Sequence, residues 1–371
     1  MLVVGEASGD IHGAQLVKAL LSRDPAVKVF GVAGEMLEQT EFEALYNVSQ
    51  LAAMGLSEVM GNLKSILQAY VMLRRVLLAR RPSLLVLIDF PEFNLRLAKV
   101  AKQHGIPVLY YVSPQIWAWR RGRVRKIARR VDHMAVVFPF EVSFYERYGV
   151  KVTFVGHPLL DTVRAHKSRQ DVLGGLGLDA AKPTVALLPG SRPREVAYHL
   201  PEMLAAAARM REEWGVQFLC VRASTIPASV IASISRNFSI AMPIVDGDRY
   251  EAINAANLVW TASGTATLET ALLGRPMIIV YRLSWLTYQL AKRLVKVDHI
   301  GMVNLIASER IVPELVQEEL TAERIVEESL LILNRREVRE GMLRKLETLR
   351  DKLGSAGVAD RVASIALSMA G

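Results

Sequence analysis

Leu188-Pro189-Gly190-Ser191-Arg192-Pro193-Arg194-Glu195 compresses a strand end, a tight loop and a helix start into eight residues. The apolar run 184–188 before it has the length of a buried strand, and Pro193 suits the first turn of a helix. Gly190 allows close backbone approach to a ligand, while Arg192 offers a forked cation to phosphate oxygens. A second junction of the same kind is Ala262-Ser263-Gly264-Thr265-Ala266-Thr267-Leu268-Glu269. It follows an apolar run at 258–260 and opens a helix that Gly274, Arg275 and Pro276 terminate. Strands that feed directly into helices belong to parallel sheets covered by helices, an α/β fold.

Working outward, strands are expected near 184–188, 216–221, 239–243, 258–260 and 277–281, with helices between them. An earlier series repeats the pattern, with strands near 2–4, 27–32, 84–88, 108–112, 134–138 and 152–155 and helices at 11–21, 57–80 and 93–103. The polar stretch 164–171, followed by Gly174 and Gly175, marks a boundary. Two Rossmann-like domains are therefore expected, 1–165 and 172–335. A helical tail, 336–371, should pack back on the first domain or on a partner chain. Only about four residues precede Gly5, fewer than a strand usually has, so the natural start is expected upstream.

At 371 residues, 51% hydrophobic and 22% charged, the chain has room for two cores. Its single cysteine, Cys220, lies in an apolar run, as a buried thiol in a reducing compartment would. No signal-peptide pattern opens the chain, and no apolar stretch approaches the roughly 20 residues that span a bilayer. A cytoplasmic protein is expected. Forty-six Lys and Arg against 37 Asp and Glu leave a formal charge of +9, which favours an anionic partner.

In open α/β sheets, ligands lie beyond the carboxyl ends of the strands, where helix N-termini aim N–H groups at negative charge. The two quoted loops suit a diphosphate: Gly190, Ser191 and Arg192 in one, Ser263, Gly264 and Thr265 in the other. Glu269, about one turn into its helix, would accept hydrogen bonds from ribose hydroxyls or simply compensate the helix dipole. Neither Gly-x-x-x-x-Gly-Lys-Ser/Thr nor Gly-x-Gly-x-x-Gly occurs at these loops, which argues against an ATPase and a nicotinamide enzyme. A nucleotide-sugar site remains.

Seven segments together resemble the lipid-A-disaccharide synthase family over nearly the whole chain. They are Gly5-Glu6-Ala7-Ser8-Gly9-Asp10, Ala53-Met54-Gly55, Ile88-Asp89-Phe90-Pro91-Glu92-Phe93-Asn94, Tyr111 to Arg120 with its Ile116-Trp117-Ala118-Trp119, Leu188 to Arg192, Ala262 to Glu269 and Leu290 to Lys296. The resemblance implies two Rossmann-like domains facing a cleft, the GT-B glycosyltransferase fold. It implies an inverting transfer from UDP-2,3-diacylglucosamine to 2,3-diacylglucosamine 1-phosphate (lipid X) through a β-1,6 bond, with UDP released. It also implies a homodimer on the inner face of the inner membrane, and it carries Asn304, Ser8 and Gly9 into the substrate site. One departure is Val303, where the family usually has proline before the asparagine.

An inverting displacement needs a base for the acceptor hydroxyl and a positive or dipolar field for the departing diphosphate. Asp89, at the end of the strand 84–88, is the first choice of base. Glu6 and Asp10, in the first strand-helix loop, are the alternatives, and a turn or helix-capping role is the plainer reading of Asp89. His12 varies in the family and reads as a surface or substrate-lining residue. Gly5, Gly9 and Gly13 suggest either tight packing or a substrate loop. Arg192 and two helix N-termini can stabilise the diphosphate, and no Asp-x-Asp pair stands where a metal would be needed, so neither a metal nor another cofactor is expected.

The helix expected at 57–80 carries a wide apolar arc including Val59, Leu63, Ile66, Leu67, Tyr70 and Val71, flanked by bases including Arg74 and Arg75. Arg120 and Arg121 begin a run of seven bases without an acid that ends at Arg130. Together they suit an anionic membrane surface, although a buried contact would also explain the arc. A UDP-N-acetylglucosamine 2-epimerase-like enzyme is the main alternative. No nucleic-acid partner is expected, since no RNP-type motif or zinc spacing accompanies the bases.

Overall fold

The computed structural model describes residues 1–47, 59–114, 116, 121–238, 240, 242–294 and 299–371, with backbone only at 7, 59–65, 121, 286, 290, 291, 293 and 294. The chain divides into two compact units, Met1–Asp161 with Leu353–Gly371, and Thr162–Lys352.

Unit 1 holds a sheet of β1 (Leu2–Val4), β2 (Val29–Ala33), β3 (Phe42–Asn47), β4 (Leu85–Ile88), β5 (Val108–Tyr111), β6 (His133–Val136) and β7 (Val152–Phe154). Its order is β3-β2-β1-β4-β5-β6-β7, with every pairing parallel. Unit 2 holds β8 (Thr184–Leu188), β9 (Gln217–Arg222), β10 (Ile244–Asp246), β11 (Leu258–Ala262), β12 (Met277–Tyr281) and β13 (Glu314–Val316), in the order β10-β9-β8-β11-β12-β13, again parallel. The central strands β1, β4, β5, β8 and β11 are buried residue by residue, because helices cover both faces of a parallel sheet. In unit 2, Trp260 is wholly buried, and its indole N–H donates to Ser329 Oγ at 2.9 Å.

The strand order reverses between β1 and β4 in unit 1 and between β8 and β11 in unit 2. Those are the topological switch points where ligands of such sheets bind. The loops after β1 and β4 carry Glu6 and Asp89; the loops after β8 and β11 carry the two glycine-containing junctions.

Three expectations are corrected. Of the strand expected at 239–243, residues 239 and 241 lie outside the described residues; the strand beside β9 is β10, where Ile244, Val245 and Asp246 pair with Cys220, Val221 and Arg222, and Pro243 before it has no N–H to donate to a ladder. β3 and β13 were not expected, because edge strands have less of the continuous apolar pattern that marks central ones. The tail divides: helix Arg336–Lys352 belongs to unit 2, and only Leu353–Gly371 belongs to unit 1. Helix Val358–Ala370 packs on helix Ala7–Arg23. Its start is held by the Asp161 carboxylate, which accepts from Gly357 N at 2.6 Å and Val358 N at 2.9 Å.

Gly5 joins the two unit 1 loops by close packing. A Cβ on Gly5 would lie 2.1 Å from Phe90 Cβ, and one on Gly13 would lie 3.0 Å from Leu37 Cδ1 and 3.2 Å from Val4 Cγ1, so packing accounts for both glycines. Gly5→Ala should therefore displace Phe90 and cost about 1–3 kcal/mol of stability, read as a lowered denaturant midpoint with an unchanged m-value.

Candidate active site

In unit 1, Asp89 and Phe90 leave β4 with φ of +51° and +48°, two successive non-glycine residues in the left-handed region. Such residues cost of order 1–3 kcal/mol each and persist only where neighbours impose them. Here the neighbours are Asn94, whose side-chain amide donates to Asp89 O at 2.7 Å and Ile88 O at 3.2 Å, and Tyr110, whose hydroxyl donates to Asp89 O at 2.5 Å. The turn presents a carboxyl group whose pKa is raised to about 6, first by burial and then by the negative charge of Glu6, with a hydrogen bond from the Phe90 backbone acting the other way. A carboxylate raised toward neutrality is still ionised at pH 7 and is a better proton acceptor than an ordinary one.

Glu6 sits at the N-cap of helix Ala7–Arg23, exposed and with no side-chain cap bond. Asp10 has a different fate from the one expected. It is 4% exposed, and its carboxylate accepts the backbone N–H groups of Gly34 (2.8 Å), Met36 (2.8 Å) and Leu37 (3.2 Å), which fastens helix Glu35–Glu38. An acid so engaged holds the fold and is a poor candidate for a base. Ser8 is exposed and Gly9 buried in the first turns of the same helix.

In unit 2, both loops turn through glycines with positive φ, Gly190 at +134° and Gly264 at +149°, values an L side chain rarely adopts. Glu195 folds back over the first loop, its Oε2 accepting from Ser191 N at 3.0 Å and Arg192 N at 3.2 Å. The Arg192 guanidinium reaches Glu195 Oε1 at 3.2 Å and its side chain is 75% exposed, open to an incoming anion. In the second loop, Thr265 is exposed at the start of helix Thr265–Leu272, and Ser263 Oγ donates to Ile300 O at 3.1 Å.

Glu269 is 4% exposed and accepts from Arg249 Nη2 at 2.6 Å and from the Tyr250 hydroxyl at 3.2 Å. Burial raises its pKa, and Arg249 and Tyr250 oppose that. Arg249 also lies over the Tyr250 ring at 4.8 Å. Sequence reasoning does not single out these two residues; an Arg-Tyr pair opening a helix carries no motif, and only the fold brings it beside Glu269.

The Asn304 side chain, expected in the substrate site, is engaged within unit 2. It is fully buried, accepts from Ile311 N and Val312 N, and donates to Val312 O and Glu314 Oε1 at 2.7–3.0 Å. All of its hydrogen-bonding capacity is taken. Glu314 in turn accepts from Ile300 N and Gly301 N, so Asn304 braces the segment that Ser263 touches.

Of the expected surface, Arg120 lies outside the described residues, as do 53–55 and most of 115–120 in the tryptophan motif; the side chains of Val59, Leu63 and Arg121 are likewise not described. In helix Val59–Arg80, Ala69, Leu73 and Leu77 are fully buried, Ile66 and Tyr70 are half-buried, and Leu67 (61%) and Val71 (46%) are exposed beside exposed Arg74 and Arg75. Arg80 is occupied, paired with Glu43 at 2.6–2.7 Å and stacked over Phe30. No helix of the described residues is long and apolar enough to cross a membrane.

The neighbouring charge of Glu6 should be separable from burial in the titration of Asp89. Glu6→Gln should lower the Asp89 pKa from about 6 while leaving it above the ordinary carboxylate value, followed by carboxyl-carbon NMR. An unshifted titration would show that Glu6 does not reach it.

The model of the lipid-A-disaccharide synthetase family matches residues 1–362. Relatives named lipid-A-disaccharide synthase include that of Geobacter sulfurreducens, 45% identical over 372 residues with 100% of this chain and 97% of the relative covered, and that of Myxococcus xanthus, 42% identical at the same coverages. Among solved structures, UDP-GlcNAc 2-epimerase from Neisseria meningitidis bound to UDP-GlcNAc matches with a TM-score of 0.69 at 12% identity, covering 99% of each chain. The glycotransferase of kitacinnamycin matches with a TM-score of 0.67 at 13% identity, covering 100% of this chain and 98% of that one. The structural matches establish a GT-B architecture shared by glycosyltransferases and epimerases, so the epimerase alternative rests on fold alone. With the family model across nearly the whole chain and relatives above 40% identity at full coverage, this protein belongs to the lipid-A-disaccharide synthetase family.

Proposed function

We propose that the chain joins the 2,3-diacylglucosamine unit of a UDP-linked donor to lipid X with inversion at the anomeric carbon. The observation that carries the reading beyond family membership is Asp89, raised to about 6 and held in a left-handed turn at the switch point of unit 1. In the displacement, the acceptor's 6-hydroxyl oxygen bonds to the anomeric carbon as the bond from that carbon to the diphosphate oxygen breaks. The hydroxyl proton passes to Asp89, and UDP leaves as the anion. Arg192 and the N-termini of helices Pro193–Trp214 and Thr265–Leu272 offset its charge, with Glu269 toward the ribose. This chemistry invokes neither a metal nor another cofactor.

The acylated substrates call for an interface. Leu67 and Val71 project next to Arg74 and Arg75 on one helix, an arrangement suited to apolar insertion beneath anionic headgroups. Each base near such a surface contributes about 1 kcal/mol, which fits reversible attachment to the inner face of the inner membrane. We assign the chain a homodimeric state on the family resemblance alone.

Two experiments test these proposals. With purified UDP-diacylglucosamine and lipid X, Asp89→Ala should lower disaccharide formation by about 10²-fold or more while UDP affinity stays nearly unchanged; turnover at the wild-type rate would remove Asp89 as the base. In flotation with anionic liposomes at low salt, replacing Leu67 and Val71 by serine and Arg74 and Arg75 by glutamine should release most of the bound protein. Undiminished binding would place the interface elsewhere.

A further inference from the structure

His199 lies in helix Pro193–Trp214, fully buried, and the chemistry above makes no use of it. Its Nδ1 stands 2.8 Å from Pro189 O, and its Nε2 stands 3.0 Å from Arg282 N. A carbonyl can only accept and a main-chain N–H can only donate, so the two contacts together require a neutral imidazole with its proton on Nδ1. A second proton on Nε2 would face the Arg282 N–H directly. Burial lowers the His199 pKa, partly offset by the hydrogen bond to Pro189, which keeps the ring in that neutral form.

The Pro189 carbonyl belongs to the peptide that enters Gly190. That peptide is planar and trans, so its N–H points opposite to its C=O. By drawing the carbonyl toward helix Pro193–Trp214, His199 turns the Gly190 N–H the other way. The far side of the imidazole is itself fixed. Arg282 follows β12, and its guanidinium is tied to Glu202 (3.2 Å), Gln317 O (3.3 Å) and Leu320 O, while Gln317 Oε1 accepts from Leu283 N at 2.6 Å.

We infer that His199 is a positioning residue for the donor: it aims the Gly190 N–H at a phosphate oxygen of the nucleotide diphosphate. The inference rests on the diphosphate reading of this loop. UDP is titrated calorimetrically into wild type, His199→Phe and His199→Gln, with thermal unfolding measured alongside. Phenylalanine keeps the ring volume and loses both hydrogen bonds, so UDP affinity should fall about tenfold, as for about 1.4 kcal/mol; glutamine, which can donate and accept, should recover most of it. Should His199→Phe bind UDP as wild type does while melting at a lower temperature, His199 is structural only and the inference fails. If wild type binds no UDP, the donor reading itself fails, a separate result. Imidazole ¹⁵N spectra of wild type decide the matter if His199→Phe does not fold. The Nδ1-protonated neutral signature should shift on saturation with UDP, and an unmoved signal would overturn the assignment.

Discussion

Parallel pairing is the constraint from which the rest of the described structure follows. A parallel ladder consumes the backbone donors and acceptors of its central strands, and the helices that connect those strands cover both faces. Chemistry is left only at the strand ends, and in each unit the order of the strands decides which ends become neighbours. β1 lies beside β4 in one unit and β8 beside β11 in the other. The loops bearing Glu6 and Asp89 are thus brought side by side, as are those bearing Gly190 and Gly264, although many tens of residues separate the members of each pair along the chain.

Within unit 1, three carboxylates a few residues from a strand end behave differently because their surroundings differ. Asp10 is saturated by three backbone N–H groups and serves helix Glu35–Glu38. Glu6 is exposed at a helix cap with no side-chain bond there. Asp89 is withdrawn from water beside Glu6, and both effects oppose its ionisation. Its backbone strain is offset by Asn94 and Tyr110, which hold the Asp89 carbonyl rather than its carboxylate, so the acid is positioned without being hydrogen-bonded into inertness. In unit 2 the same logic appears in Glu269, where Arg249 and Tyr250 keep a buried carboxylate compensated.

Much of this is legible in the order of the amino acids. The central strands, both glycine-bearing junctions, Asp89 at the end of its strand and the family resemblance all rest on local pattern, since a buried parallel strand reads as an unbroken apolar run and a strand-to-helix turn needs glycine or proline at set positions. The failures share a cause. Asp10 reads as a site residue from its place near a strand end and Asn304 from the family resemblance, but the partners that saturate them lie 24 to 27 residues away in one case and 7 to 10 away in the other. His199, Arg249 and Tyr250 carry no signal because their partners come from other elements.

The sequence by itself determined most element types, the two-unit α/β plan, the two glycine-bearing strand-to-helix junctions and the family, since propensity, periodicity and motif spacing are properties of neighbouring residues. Only the tertiary structure decided the strand orders, the division of the tail at Leu353, and which polar groups are saturated and which still face solvent. Those outcomes depend on hydrogen bonds and burial between residues far apart in the chain, where pairing with one partner excludes another and local pattern carries no record of the choice.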